Sequence, residues 1–224
     1  MFEDATPVFS DRRQAGRQLA TALKRLKLEH PIVLALPRGG VPVAFEVAQA
    51  LAAPLDVVMV RKIGAPGHAE LGLGAVVDGA DPQLVLNDDI VQLLAPDPAY
   101  LEAEKLRQLK EIERRKRLYR GERPPLPIAG RIVIVIDDGI ATGGSVKAVL
   151  RALALAKPSR RVLAVPVAPR DSIDTLAPEA DDVVCLAMPE PFFAVGTHYW
   201  NFQQTTDAEV VDLLRRADEA RQQG

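Results

Sequence analysis

Cysteine is nearly absent from this sequence, since Cys185 is the single one among 224 residues. One cysteine excludes an internal disulfide and leaves no cysteine-based zinc site. Cys185 lies in the apolar run 183–187, which favours a buried structural thiol over a nucleophile. We therefore look for function elsewhere in the chain.

Long apolar runs and an excess of charge of one sign are also missing. No run reaches membrane-spanning length, and the first residues lack the basic start and apolar core of a signal peptide. The formal net charge of −2 gives no general attraction to nucleic acid or to a membrane. We expect a cytoplasmic protein with a single domain over residues 1–224.

Predicted strands and helices alternate along the chain. Apolar runs predict strands at residues 31–36, 54–60, 132–136, 161–167 and 181–187, with helical patterns between most of them. This alternation predicts an α/β fold with a largely parallel sheet and helices on both faces. Residues 62–74, rich in glycine, predict a mobile loop, and residues 98–120 predict a long charged helix. For that helix, a solvated surface is favoured over an RNA-binding one.

The stretch 131–150 organises the rest of the chain. Five β-branched residues, Ile132–Ile136, predict a strand buried on both faces, and Asp137 and Asp138 follow at its end. The next residues include Gly139, Thr142, Gly143, Gly144 and Ser145. They supply backbone N–H groups, two hydroxyls and a helix N-terminus, which suit the binding of a phosphate monoester. A Walker A loop is excluded because Gly144 precedes Ser145, and the glycine spacing excludes a dinucleotide fingerprint. An ordinary strand–helix turn would not need two acids here.

This stretch resembles the phosphoribosyl-pyrophosphate (PRPP) signature of type I phosphoribosyltransferases: a hydrophobic strand, two acids and a Thr-Gly phosphate loop. Matching features extend over about residues 10–205. Segments beginning at Pro37 and Val60 also resemble a bacterial group of phosphoribosyltransferases whose acceptor is poorly defined. The resemblance implies a flexible loop at about 62–74, an acceptor hood at about 188–206, Mg²⁺ and a homodimer.

The resemblance also implies an activity and a set of site residues. Ribose-5-phosphate would pass from PRPP to a nitrogen acceptor, with a nucleobase and nucleotide salvage as the expected class, and pyrophosphate would be released. Asp137 and Asp138 would hold the ribose hydroxyls, directly or through Mg²⁺. The 5′-phosphate would lie against Ala141, Thr142, Gly143, Gly144 and Ser145. Pyrophosphate would meet Arg38, Gly39, Gly40, Arg61 and Lys62.

The acceptor is the part that the sequence defines least. Residues 191–202 hold five of the ten aromatic residues, and Phe193 resembles the purine-salvage phenylalanine that stacks on the base. In 6-oxopurine enzymes an aspartate stands where this chain has Trp200, and an acid stands at Ala141, which argues against hypoxanthine and guanine. Glu70 is then the candidate for moving the acceptor's proton, with a solvated loop acid as the equal alternative. These aromatics could instead only pack a loop on the core.

A regulator that keeps the PRPP site as a sensor, and binds nucleic acid or a protein, is the alternative function. The chain has no helix-turn-helix extension, and its basic helix is interleaved with acids. Nucleic-acid binding is therefore ranked second.

Overall fold

Parallel pairing of the predicted apolar runs forms the main sheet. The computed structural model describes residues 7–78 and 82–222. Its strands are β1 (Ile32–Ala35), β2 (Leu55–Val57), β3 (Val60–Ala65), β4 (His68–Val77), β5 (Gln83–Leu86), β6 (Ile132–Ile136), β7 (Arg160–Val167) and β8 (Asp182–Ala187). Five of them form a sheet in the order β2-β1-β6-β7-β8, and every pairing in it is parallel. The predicted α/β class with a parallel sheet is confirmed.

Helices cover both faces of this sheet. They are α1 (Arg12–Leu23), α2 (Gly40–Leu51), α3 (Asp88–Leu94), α4 (Pro98–Arg120), α5 (Gly144–Leu155), α6 (Arg170–Leu176) and α7 (Asp207–Gln222). Helices α1, α2 and α7 share one hydrophobic cluster with one face, and α5 shares another cluster with the opposite face. Within the described ranges, no helix combines the length and apolarity that crossing a membrane requires.

The residues of β6 show why these strands must be apolar throughout. Ile134 and Ile136 pack in the α1–α2–α7 cluster, whereas Val133 and Val135 pack in the α5 cluster. Successive side chains of a strand point to opposite faces, so a strand covered on both sides has no solvent-facing position. Burying each of these side chains stabilises the fold by about 1.5–3 kcal/mol.

The β3–β4 hairpin of a second, antiparallel sheet stands where the sequence predicts an irregular loop. Strands β3, β4 and β5 pair in that order, so most of residues 62–74 form a hairpin. The prediction of an irregular segment is therefore wrong as to secondary structure. Pro66 and Gly67 make the turn, and Gly67 has a φ of 74°, the region in which a type II turn requires glycine. Closure of this hairpin over a substrate stays a prediction.

The order of the strands creates a natural binding edge. The chain leaves β1 through α2 on one face and leaves β6 through α5 on the other, although β1 and β6 are neighbours. Ligands of open α/β sheets bind at such a switch point, outside the carboxyl ends of the strands. The loops that follow β1 and β6 are therefore the expected place for a binding site.

Candidate active site

Two loops meet at the switch point, and glycines make the contact possible. The loop after β1 contains a cis peptide bond between Pro37 and Arg38. A Cβ atom added to Gly39 would lie 2.1 Å from Asp138 Oδ2, and one added to Gly40 would lie 2.7 Å from the carbonyl oxygen of Ile136. Only glycine allows the first loop to pack directly on the acidic end of β6. The structure thus brings the predicted pyrophosphate loop and the acidic pair together.

The acidic pair is half-buried and hydrogen-bonded within itself. The backbone N–H of Asp138 donates to Asp137 Oδ1 at 2.9 Å. Burial, and secondly the negative charge of Asp138, raise the pKa of Asp137 well above the usual aspartate range. Two adjacent carboxylates in such a place favour ligands that donate hydrogen bonds or carry positive charge, such as sugar hydroxyls or a cation.

Arg12 and Tyr199 also contact this pair, and the sequence interpretation missed both. Arg12 Nε donates to Asp138 Oδ2 at 2.7 Å across 126 positions of the chain. The Tyr199 hydroxyl donates to the backbone carbonyl of Asp138 at 2.5 Å, and burial raises the pKa of this phenol. Asp11 caps α1 by accepting from the Gln14 N–H at 2.7 Å, which starts the helix beside the site. No local pattern marks Arg12 or Tyr199 as site residues, because both contacts are long-range.

The loop after β6 forms an anion cradle at the start of α5. Gly143 has a φ of 75° and stands at the N-cap, and no side chain of the described residues caps the helix there. The first N–H groups of α5 are therefore available to an anion, and the helix dipole adds roughly half a positive charge. Ser172 Oγ donates to the carbonyl oxygen of Ala141 at 2.6 Å, which ties the loop to α6. All five predicted cradle residues lie in this loop and the first turn of α5. Thr142 and Gly144 are exposed there, and Ser145 is half-buried.

The predicted pyrophosphate cations lie on different elements. Arg38 is in the loop after β1, with Nη1 3.6 Å from Asp207 Oδ1, and the Tyr119 hydroxyl donates to that same oxygen at 2.5 Å. Arg61 lies on β3 and donates through Nε to Gln108 Oε1 at 3.0 Å. Lys62 is exposed on the same strand. The structure therefore places the Arg38 guanidinium beside Asp207 at the start of α7, whereas Arg61 contacts α4.

The predicted acceptor segment combines exposed and buried aromatic residues. Phe193 is 72% exposed and Trp200 is 70% exposed, so neither is a core residue. Phe202 packs on Tyr199 with ring centroids 5.1 Å apart, and the Arg12 guanidinium lies 3.8 Å from the Phe202 ring centre. The alternative of simple core packing is thus unsuited to Phe193 and Trp200. Glu70 is a residue of β4, and its side chain lies outside the described part of the structure.

Magnesium would fit this edge only in partnership with a substrate. Among the described residues, no group of three or more His, Cys, Asp or Glu side chains could hold a metal ion. Mg²⁺ usually keeps several waters and binds through one or two carboxylates plus substrate phosphates. Asp137 and Asp138 supply the two carboxylates, and the phosphates would have to come with the substrate.

A separate cavity of about 450 Å³ lies away from these residues. The segment 125–129 and the C-terminal half of α5 form much of its wall. Its charged part is an internal network in which Arg120 donates to Asp56 at 2.8 Å and to Asp78 at 2.9 Å. None of the predicted site residues whose side chains the structure describes lines this cavity, so we do not assign it to the candidate active site.

Comparisons with known proteins agree with the fold and show the family of the chain. A family model described as "Phosphoribosyl transferase domain" matches residues 11–203. Curated relatives from two strains of Mycobacterium tuberculosis, each named "Putative phosphoribosyl transferase", are 50% identical over 210 residues. The match covers 94% of this chain and 47% of each relative, so the chain spans about half the length of these relatives.

Solved structures extend the comparison to three dimensions. A crystal structure of a protein from Thermus thermophilus has a TM-score of 0.82 and 46% identity, over 93% of this chain and 98% of that chain. A hypothetical protein from Neisseria gonorrhoeae, solved with bound ppGpp, has a TM-score of 0.52 and 14% identity, over 96% of this chain and 97% of that chain. This second likeness concerns the fold alone.

Proposed function

The chain belongs to the phosphoribosyl transferase domain family, and from that premise we propose that it transfers ribose-5-phosphate from PRPP to a nitrogen acceptor. One observation carries the proposal. The glycine loop after β1 packs on the acidic pair after β6, and the uncapped start of α5 follows a few residues later. These are the groups that a ribose bearing a phosphate at one end and a pyrophosphate at the other requires.

The anion cradle is the proposed site of the 5′-phosphate. The residues Ala141, Thr142, Gly143, Gly144 and Ser145 surround the N-terminus of α5. Their backbone N–H groups and two hydroxyls are donors without negative charge. Asp137 and Asp138 precede them and repel phosphate, so we assign the pair to the ribose hydroxyls. Mg²⁺, when bound with PRPP, would offset the charge of the pyrophosphate.

Pyrophosphate departure is the step in which charge must be managed. The acceptor nitrogen forms a bond to C1 of the ribose, the bond from C1 to the pyrophosphate oxygen breaks, and the electron pair leaves with pyrophosphate. The loop of Gly39 and Gly40 and the cation of Arg38 would receive the leaving group, although the Gly40 N–H donates to the Leu36 carbonyl at 3.1 Å in the free protein. Arg61 and Lys62 would join them when the β3–β4 hairpin closes over the site.

The hood supplies the proposed acceptor site. Phe193 and Trp200 expose large aromatic faces, on which a planar base could stack. Glu70 is proposed to move the acceptor's proton, and a nucleobase carrying a 6-amino group is slightly favoured over a 6-oxopurine. A cytoplasmic location and a homodimer remain predictions.

A PRPP-consumption assay against a broad panel of bases and amines tests the proposal. Pyrophosphate release and formation of the matching 5′-monophosphate should appear for at least one acceptor when Mg²⁺ is present. Asp138→Asn should lower turnover about a hundredfold or more, the scale of losing one preorganised electrostatic group. Near-normal turnover in this variant would show that the site is assigned wrongly.

The same assay separates the enzyme from the regulator. Tight PRPP binding without turnover on any acceptor would favour a PRPP sensor. Failure to bind PRPP at all would contradict both functions. Calorimetry with PRPP and Mg²⁺ should therefore accompany every negative turnover result.

A further inference from the structure

Within residues 7–78 and 82–222, Arg12 makes three polar or aromatic contacts, and they lie at the candidate active site. Its Nε donates to Asp138 Oδ2 at 2.7 Å, and its Nη1 donates to the backbone carbonyl of Gln203 at 2.7 Å. Its guanidinium also stacks on Phe202 at 3.8 Å. A planar guanidinium matches such a combination of carboxylate, carbonyl and ring, whereas an ammonium would not.

These contacts fix the charge in place. The Arg12 side chain is only 11% exposed, and the Asp138 side chain is only 14% exposed. The next residue, Arg13, makes a useful contrast, because its side chain is 41% exposed and its Nη1 lies 3.4 Å from Glu46 Oε1. Arg12 is thus a built-in cation of the site, and Arg13 is a surface residue.

A fixed cation changes which ligands the acidic pair can take. One oxygen of Asp138 is already occupied, and the positive charge of Arg12 lies within hydrogen-bond distance of it. A divalent metal at the pair would have to share these carboxylates with a cation that cannot move far, and like charges repel more strongly in a partly buried site. The described residues offer no third carboxylate, histidine or cysteine to offset this repulsion.

We propose that Arg12 is the resident counter-cation of the acidic pair and that it prevents the free protein from holding a divalent metal there. The role of Arg12 in the reaction rests on the proposed function. Asp138 then accepts hydrogen bonds from the ribose directly, and Mg²⁺ reaches the site only on the pyrophosphate of PRPP. Arg12 is a positioning residue in this scheme, because it acts through Asp138.

Metal binding by the free protein tests the proposal without any substrate. Mn²⁺ serves as the probe, and the unbound ion is followed by electron paramagnetic resonance during titration. Wild-type protein and Arg13→Met should show no saturable binding at the acidic pair. Arg12→Met removes the charge but keeps an unbranched apolar chain against Phe202, and it should gain one saturable Mn²⁺ site that the wild type lacks over the same concentration range. Adding Asp138→Asn to Arg12→Met should abolish the new site.

Arg12→Lys separates the effect of the positive charge from that of the planar shape of the guanidinium. It keeps the positive charge and should still exclude Mn²⁺, although it loses the planar stack on Phe202. Saturable Mn²⁺ binding by the wild type that disappears in Asp138→Asn would overturn the proposal, and this measurement needs no Arg12 variant to fold. Absence of a new site in a folded Arg12→Met would overturn it as well.

The outcome is distinguishable from failure of the proposed function. PRPP is absent from the titration, so a protein that never turns over PRPP still gives a definite result for Arg12. Conversely, a protein that turns over PRPP but also binds Mn²⁺ at the acidic pair without substrate would retain the transferase function and refute the counter-cation role.

Discussion

Replacing Gly39 by alanine tests the contact on which the site is built. Gly39 has φ −60° and ψ −33°, a conformation that alanine adopts freely, so the backbone itself does not oppose the change. The added Cβ, however, would lie 2.1 Å from Asp138 Oδ2 and 2.6 Å from its Cγ. The effect of Gly39→Ala is therefore steric and falls on one functional carboxylate.

The size of the effect follows from the overlap. Real Cβ atoms stay beyond 3.0 Å from such neighbours, so the carboxylate or the loop must move. A movement of about 1 Å in a preorganised site lowers the rate by about a hundredfold. The same shift pulls Asp138 Oδ2 away from Arg12 Nε, which lies 2.7 Å from it in the native protein. We expect kcat/KM for PRPP to fall about a hundredfold, equivalent to about 2.7 kcal/mol of transition-state stabilisation.

The assay is PRPP turnover together with thermal unfolding. Gly74→Ala is the matched control, because its Cβ would lie 2.3 Å from the carbonyl oxygen of Val85, within the β4–β5 pairing. This control should lower the melting temperature while the cradle and the acidic pair keep their geometry. A Gly39→Ala variant with kcat/KM within about twofold of wild type would refute the reasoning.

Three further predictions concern the cradle, the acidic pair and the hairpin. Gly143→Val is strained at φ 75°, and its Cβ meets Leu176 at 3.0 Å. It should abolish binding of both PRPP and a 5′-monophosphate in calorimetry, whereas loss of pyrophosphate binding alone would place the 5′-phosphate elsewhere. Because burial and Asp138 raise the pKa of Asp137, the ionised side chain destabilises the folded state relative to the unfolded chain. The free energy of unfolding, measured in urea, should therefore fall for the wild type relative to Asp137→Asn as the pH rises from the ordinary aspartate range through the raised pKa. A difference between the two proteins that does not change with pH would contradict this direction. Glu70→Gln should slow the chemical step with little change in PRPP affinity, and an unchanged single-turnover rate would remove Glu70 from the mechanism.

The parallel sheet and the cradle could be predicted because their signals are local. Ile132–Ile136 is both the predicted and the observed β6, since five β-branched residues have few alternatives to a doubly buried strand. The cradle follows directly in the sequence, so its position relative to β6 and α5 is set by adjacency. Its first helical residue is Gly144, next to the predicted signal at Ser145.

The sequence does not predict the β3–β4 hairpin, because the glycines of residues 62–74 indicate an irregular loop, whereas glycine also forms the tight turns of hairpins. Glycine and proline weaken strands on average, yet Pro66 and Gly67 are well suited to a two-residue connection between strands. Ile63 and Leu73 are fully buried in the main hydrophobic cluster, which stabilises the strands despite the glycines between them. Tertiary burial overrode local propensity here.

Arg12 could not be predicted as a site residue because its environment is assembled from distant segments. In the sequence it belongs to an ordinary amphipathic helix, in which arginine indicates a solvated face. Its partners, Asp138, Phe202 and the carbonyl of Gln203, lie 126 or more positions away. Only the sheet order, which brings the ends of these segments together, reveals the contact.

Helix α4 shows how a buried polar stripe can hide a structural role. The sequence favours a solvated surface, but Glu104, Gln108, Ile112, Tyr119 and Arg120 are buried along it. Most of these residues are polar, so a search for apolar residues at helical spacing does not detect the stripe.

The contacts of that stripe connect α4 to two of the three predicted pyrophosphate cations, Arg61 and Arg38. Gln108 accepts from Arg61 at 3.0 Å, and Tyr119 donates to Asp207, whose carboxylate faces Arg38 at 3.6 Å. Helix α4 thus contacts Arg61 directly and Arg38 through the Asp207 carboxylate, and these contacts restrict the positions of both side chains. The charged helix is therefore better understood as a support that positions Arg38 and Arg61 than as a solvated insertion.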